Sequence, residues 1–140
     1  MENESKFFKI YFILVIIYSI IGLSNSIFSG MIETYGQMPN LLMILASIFS
    51  FLIFILSIVA LVIFIKNKFA KITLVIPIYE LVTAILMGIW GVVIGVLSVV
   101  QANPIDNQSI PLVMIIVGFL TSLFELVFSA YVLKKYGFNQ

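Results

Sequence analysis

Four long apolar stretches, broken by short polar segments, organise this chain of 140 residues. They run from about Phe7 to Phe28, Leu41 to Ile65, Ile72 to Val100 and Ile110 to Leu133. A bilayer's hydrocarbon core, about 30 Å thick, is crossed by roughly 20 apolar residues in a helix, and each stretch is long enough. Strands of a membrane barrel alternate apolar and polar positions over about 10 residues, whereas Phe51 to Leu56 is apolar throughout. The pattern predicts an all-α, polytopic membrane protein: four transmembrane helices in an antiparallel bundle with short loops, forming one domain over residues 1–140. Lys6 and Lys9 resemble the charged start of a signal peptide. The apolar stretch behind them exceeds the usual ~7–15 residues, and no A-x-A-like site follows, so it is read as a span.

Composition sharpens this. Hydrophobic residues make up 63% of the chain and charged residues 9%, against about half and about a quarter in soluble domains. The seven basic residues are all Lys, and there is no His or Cys. Disulfides, thiol nucleophiles and the usual zinc and haem ligands are therefore excluded, and neither a metal nor a cofactor is expected. A net charge of +1 offers no basic patch for nucleic acid. Lys used to the exclusion of Arg, with abundant Ile, Asn and Phe, points to an AT-rich microbial genome.

The Lys positions set a topology. Lys6 and Lys9 open span one, Lys66, Lys68 and Lys71 join spans two and three, and Lys134 and Lys135 follow span four. The other two connections, Gly30 to Asn40 and Gln101 to Ser109, hold Glu33 and Asp106 but no Lys. The positive-inside rule then places both termini in the cytoplasm, with a microbial plasma membrane as the expected location. Asn107-Gln108-Ser109 matches a glycosylation pattern, but its position beside span four favours coincidence.

Membrane helices associate through small residues that let backbones approach and through polar side chains that bond across the interface. At 100° per residue every span carries such a stripe. In span three it comprises Glu80, Ala84, Gly88, Gly91, Gly95 and Ser98, with Gly91 and Gly95 forming a G-x-x-x-G pair; in span four it comprises Gly118, Thr121, Ser122, Glu125 and Ser129. Span two offers Met43, Ala46, Ser47, Ser50 and Ser57, and span one Tyr11, Tyr18, Gly22, Asn25 and Ser29. Ala84, Gly88, Gly91, Gly95 and Gly118 are expected to pack against neighbouring helices. Pro77 is expected to kink span three about one turn inside, and Trp90, too deep for a headgroup belt, to pack inside or against another copy.

Glu80 and Glu125 alone among the acids lie within spans, where an ionisable residue marks a candidate site. Glu80 lies nine residues after Lys71 and Glu125 nine before Lys134, so at 1.5 Å per residue both sit about 13 Å from their flanking Lys. They share a depth on adjacent helices, and no Lys lies at that depth. Such a pair is expected to hold at least one proton between them. It can serve as a proton or cation site, as a site for a headgroup or cationic ligand, or as a shared-proton bond between spans three and four. Tyr18, Ser19, Asn25, Tyr79, Ser122 and Ser129 are further candidates for lining a ligand or ion site, Asn25 doubling as interhelical glue.

No G-x-S-x-G elbow and no phosphate loop is present. The leading expectation is a small non-enzymatic membrane protein, an accessory, regulatory or protective subunit acting through helix–helix contacts. Its partners would be the lipid bilayer and either a second copy or another membrane protein. The alternative is an oligomeric small transporter, or an ion- or proton-binding membrane protein, that uses Glu80 and Glu125.

Overall fold

The computed structural model describes residues 2–35, 40–100 and 109–137. Helix α1 spans Glu2–Tyr35 and α2 Asn40–Lys66; a 3-10 turn, Lys71–Leu74, leads into α3, Val75–Val100; α4 spans Ser109–Val132 and closes in a π turn, Leu133–Gly137. The fold is all-helical, with four helices long and apolar enough to cross a membrane. Asp106 and Asn107 lie outside the described residues, as do the side chains of Ser29, Glu33, Met43 and Ser98.

Local chemistry explains the helix ends. The first turn of α1 carries Glu2 and Glu4, which suit the positive end of the helix dipole, and Lys6 Nζ reaches Glu2 Oε1 at 2.8 Å one turn on. No Pro interrupts α1, so it extends one turn and more past the predicted end at Phe28. Helix α2 ends in a Schellman motif: the Phe69 N–H donates to Phe64 O at 3.0 Å and the Lys68 N–H to Ile65 O at 3.2 Å. Lys68 takes the left-handed conformation this closure requires, with φ 54°, and Phe69 packs back edge-to-face on Phe64 with ring centroids 5.3 Å apart. Pro77 falls in the first turn of α3, where its missing N–H is one of the donors a helix start leaves unpaired anyway.

The best-packed part of the molecule lies at the end where the Lys residues gather. Phe8, Tyr11, Phe12 and Val15 of α1, Ile53, Ala60 and Phe64 of α2, Ile76 of α3, and Val132 and Leu133 form one buried cluster. Its rings lock together: Phe8 lies 4.8 Å from Phe12, 5.3 Å from Phe64 and 5.4 Å from Phe69, centroid to centroid. Just past this aromatic seal, the Tyr11 hydroxyl and Ser57 Oγ are 2.9 Å apart, tying α1 to α2.

Helix α1 is the hub. It packs along α4 and against α2, α2 packs against α3, and α3 and α4 barely touch. Residue numbers fall along α4 as they rise along α1. Ser19 meets Glu125, a Cβ on Gly22 would collide with Ser122 Oγ, and a Cβ on Gly118 would lie 3.2 Å from Ser26 Oγ. Gly118 thus lies close against α1. The stripe on α3 is different. A Cβ on Gly88, Gly91 or Gly95 would meet nothing within 4 Å, and every described side chain from Ala84 to Val99 is exposed. Gly88 and Gly91 therefore have no described residue packed where a side chain would stand, because α3 diverges from α4 beyond the sealed end.

Candidate functional site

The divergence of α3 from α4 opens a cavity of about 970 Å³. Its floor carries Glu80 of α3 with Ser122 and Glu125 of α4; α1 contributes Tyr18, Gly22, Asn25 and Ser26 as a back wall, and α2 adds Ser50 and Phe54. Towards the end away from the Lys residues the walls become apolar: Leu86, Met87 and Trp90 on α3, and Val113, Met114 and Val117 on α4. A second recess of about 800 Å³, bounded by Ala46, Ser47 and Phe51 of α2, shares Tyr18, Asn25, Ser50, Phe54, Ala84 and Met87 with the first.

Helical periodicity puts the two carboxylates here. Glu80, Thr83, Ala84 and Met87 recur at helical spacing on one side of α3, and Gly118, Thr121, Ser122 and Glu125 do so on α4. Glu80 is 7% exposed and Glu125 6%. Serine 19 donates to Glu125 Oε2 at 3.3 Å while also lying 2.8 Å from its own helix's Val15 carbonyl. A hydroxyl carries one proton, so the carboxylate shares its donor with the backbone and is held only in part. Glu80 Oε1 is buried and has no hydrogen-bond partner among the described residues. The direct bond between Glu80 and Glu125 that their equal depth suggested is absent among the described contacts. The physical reason is the separation of α3 from α4, since α4 turns Glu125 towards its true neighbour, α1.

The other candidates divide. Tyr18, Asn25, Tyr79 and Ser122 all border the cavity. Tyr79 is half-buried, its ring 5.1 Å from that of Phe124, and the buried Asn25 Oδ1 has no hydrogen-bond partner. Ser129 is fully buried and borders neither recess; one turn nearer the Lys end than Glu125, it faces the packed part of the bundle. Trp90 is 47% exposed and lies on the cavity wall, so it is not packed inside the chain.

Gly22, Ser26, Thr83 and Phe54 are wall residues that reading the sequence did not single out as site-forming. Gly22 and Ser26 were nonetheless detectable. They form a small-x-x-x-small pair on α1 that matches Gly118 and Ser122 on α4, and reciprocal pairs of this kind mark close helix crossings. Phe54 carried no such signal, since an aromatic in an apolar span looks the same facing lipid, core or cavity.

Two carboxylates stand in a recess whose described lining contains no Lys. Among the described residues no group of three or more His, Cys, Asp or Glu could hold a metal ion. Compared with protein families, with curated proteins and with solved structures, the chain matches none.

Proposed function

We propose that this protein is a non-enzymatic, antiparallel four-helix membrane protein whose function resides in an intramembrane site for a cation or a proton. The observation that carries the reading is the burial of Glu80 and Glu125 in one recess with no Lys on its described walls. A carboxylate in hydrocarbon is expensive and is kept where it faces a cavity or a partner. Opposite running of α1 and α4 supports the antiparallel bundle, and the gathering of Lys at one end supports two cytoplasmic termini under the positive-inside rule. A microbial plasma membrane is the matching location.

The test uses the full chain in proteoliposomes. Cation- or proton-dependent flux is expected for the native sequence and is expected to vanish in Glu80→Gln and Glu125→Gln while the helical fold persists. Unchanged flux in both variants refutes the site.

A second reading, an accessory or regulatory subunit acting through helix contacts, is favoured by the exposed far half of α3. There an added side-chain carbon on Gly88 or Gly91 would meet nothing within 4 Å among the described residues. Crosslinking in native membranes is expected to capture either a second copy or a distinct membrane protein on this face. Recovery of uncrosslinked chain alone, with reagent-bearing positions along α3, counts against it.

A further inference from the structure

Resting on the cation-site reading, we infer that the occupant is an amphipathic organic ammonium, a cation with at least one N–H donor and an apolar body, reaching the site through the gap between α3 and α4. Four observations converge on this chemistry. The first is the orphaned acceptor: Glu80, more than nine-tenths buried, borders the cavity, and its Oε1 has no hydrogen-bond partner among the described residues. Asn25 Oδ1, on the same cavity, is also buried and unpartnered. Acceptors left open in this way call for a donor, which an N–H group supplies and a quaternary nitrogen does not.

The second is charge. Glu80 and Glu125 share a recess whose described walls carry no Lys, so a positive ligand meets attraction without a competing internal cation. The third is size and ligand count. A bare metal ion needs a shell of about six oxygens or more, whereas no group of three or more His, Cys, Asp or Glu that could hold an ion occurs among the described residues. About 970 Å³ is also far larger than one ion and falls in the range of small-molecule sites, about 300–1,000 Å³. The fourth is the wall. Phe54, Met87, Trp90, Met114 and Val117 make the upper cavity apolar, and an aromatic face such as that of Trp90 also attracts a cation. A carboxylate floor beneath apolar walls matches an amine with a hydrophobic tail, and the poor contact between α3 and α4 leaves a side opening through which a membrane-dissolved molecule can pass.

Trp90 is the only Trp in the chain, which makes the site its own reporter. Full-length protein in lipid nanodiscs is titrated with 2-phenylethylammonium, with its N,N,N-trimethyl analogue and with neutral 2-phenylethanol. Trp90 fluorescence is followed after subtraction of empty nanodiscs. The expected result is saturable binding of 2-phenylethylammonium, at least about tenfold tighter than either analogue, and a loss of at least about tenfold in Glu80→Gln. The selectivity series on the native chain decides the matter even if the Gln variant does not fold. Phe54→Ala is expected to weaken the amine while leaving its order over the trimethyl analogue intact. Equal affinity for all three probes, or no saturation by any, overturns the ammonium assignment. If sodium or proton uptake still depends on Glu80 in that case, the cation site survives and only its occupant changes. If no response depends on Glu80, both readings fall.

Discussion

Replacing Glu80 with Leu separates a binding site from a structural pair, because the two readings give opposite signs for stability. In the structure Glu80 is 7% exposed and its Oε1 has no hydrogen-bond partner among the described residues. A buried polar atom left unmade costs about 1–3 kcal/mol. A charged residue at the centre of a span costs about 2.5–3.5 kcal/mol on insertion scales, a figure reduced where the group faces a cavity wide enough for water. Leu removes the polar atom and adds apolar surface to a recess that Phe54 and Met87 also line. The native fold is therefore expected to gain roughly 1–3 kcal/mol in Glu80→Leu while losing cation binding. Glu125→Leu is expected to gain less. It also removes the contact with Ser19, and interhelical hydrogen bonds in membranes are worth about 0.6–1.7 kcal/mol. The assay is reversible unfolding in bicelles, by steric trapping or by titration into a denaturing detergent, with Glu80→Gln as the isosteric reference. A Glu80→Leu variant less stable than the native chain by more than about 1 kcal/mol would show that the carboxyl is a structural partner and refute the reasoning.

Four further outcomes are open to measurement. A double-mutant cycle of Tyr11→Phe and Ser57→Ala should return a coupling of about 0.6–1.7 kcal/mol, and a coupling of zero would deny the 2.9 Å bond a role in joining α1 to α2. Lys68→Gly should raise stability by about 0.5–1 kcal/mol, since Lys68 holds the positive φ that closes α2; a loss of stability on unfolding would mean the Lys side chain contributes more than the strain. Gly22→Ala should disrupt the close approach of α1 to Ser122 and lower the unfolding midpoint, whereas Gly91→Ala, whose Cβ meets no described atom within 4 Å, should not lower the isolated protein's midpoint; equal losses in both would contradict the open face of α3. Because the chain has no Cys, a single Asn67→Cys label reports topology cleanly: it should react with an impermeant thiol reagent only after the cytoplasmic face is exposed, and reaction from outside intact cells would invert the proposed orientation.

Much of the fold was legible because the bilayer simplifies the code. Apolar runs of the required length announce four helices, and the period of 3.6 residues puts Glu80 with Ala84 and Glu125 with Ser122 before any coordinates are seen. Pairing was less legible. Each span carries small and polar residues on one face, so the stripe on α3 reads as the strongest packing surface although α1 and α4 make the close crossing. The information was relational: Gly22 and Ser26 matter because Ser122 and Gly118 face them at matching spacing, and no property of one helix reveals that. The aromatic seal was hidden for a related reason. Phe8, Phe12, Phe64 and Phe69 come from segments far apart in sequence, and Phe is as common on lipid-facing surface as in a core.

The two halves of the bundle divide the physical work, and the carboxylates stand where the halves meet. At the Lys end interlocked rings and the Tyr11–Ser57 bond hold α1, α2 and the start of α3 together. Beyond that layer α3 parts from α4, and the space between them is bounded by Glu80 and Glu125 at its base. Carboxylates any deeper in the seal would need partners that Phe and Val cannot supply; carboxylates nearer the far end would stand among exposed apolar side chains with nothing to orient them. At the boundary they have a rigid floor and an open space above it. That combination lets a chain with so few charged residues hold two acidic groups beside an open recess without dismantling the packing that positions them.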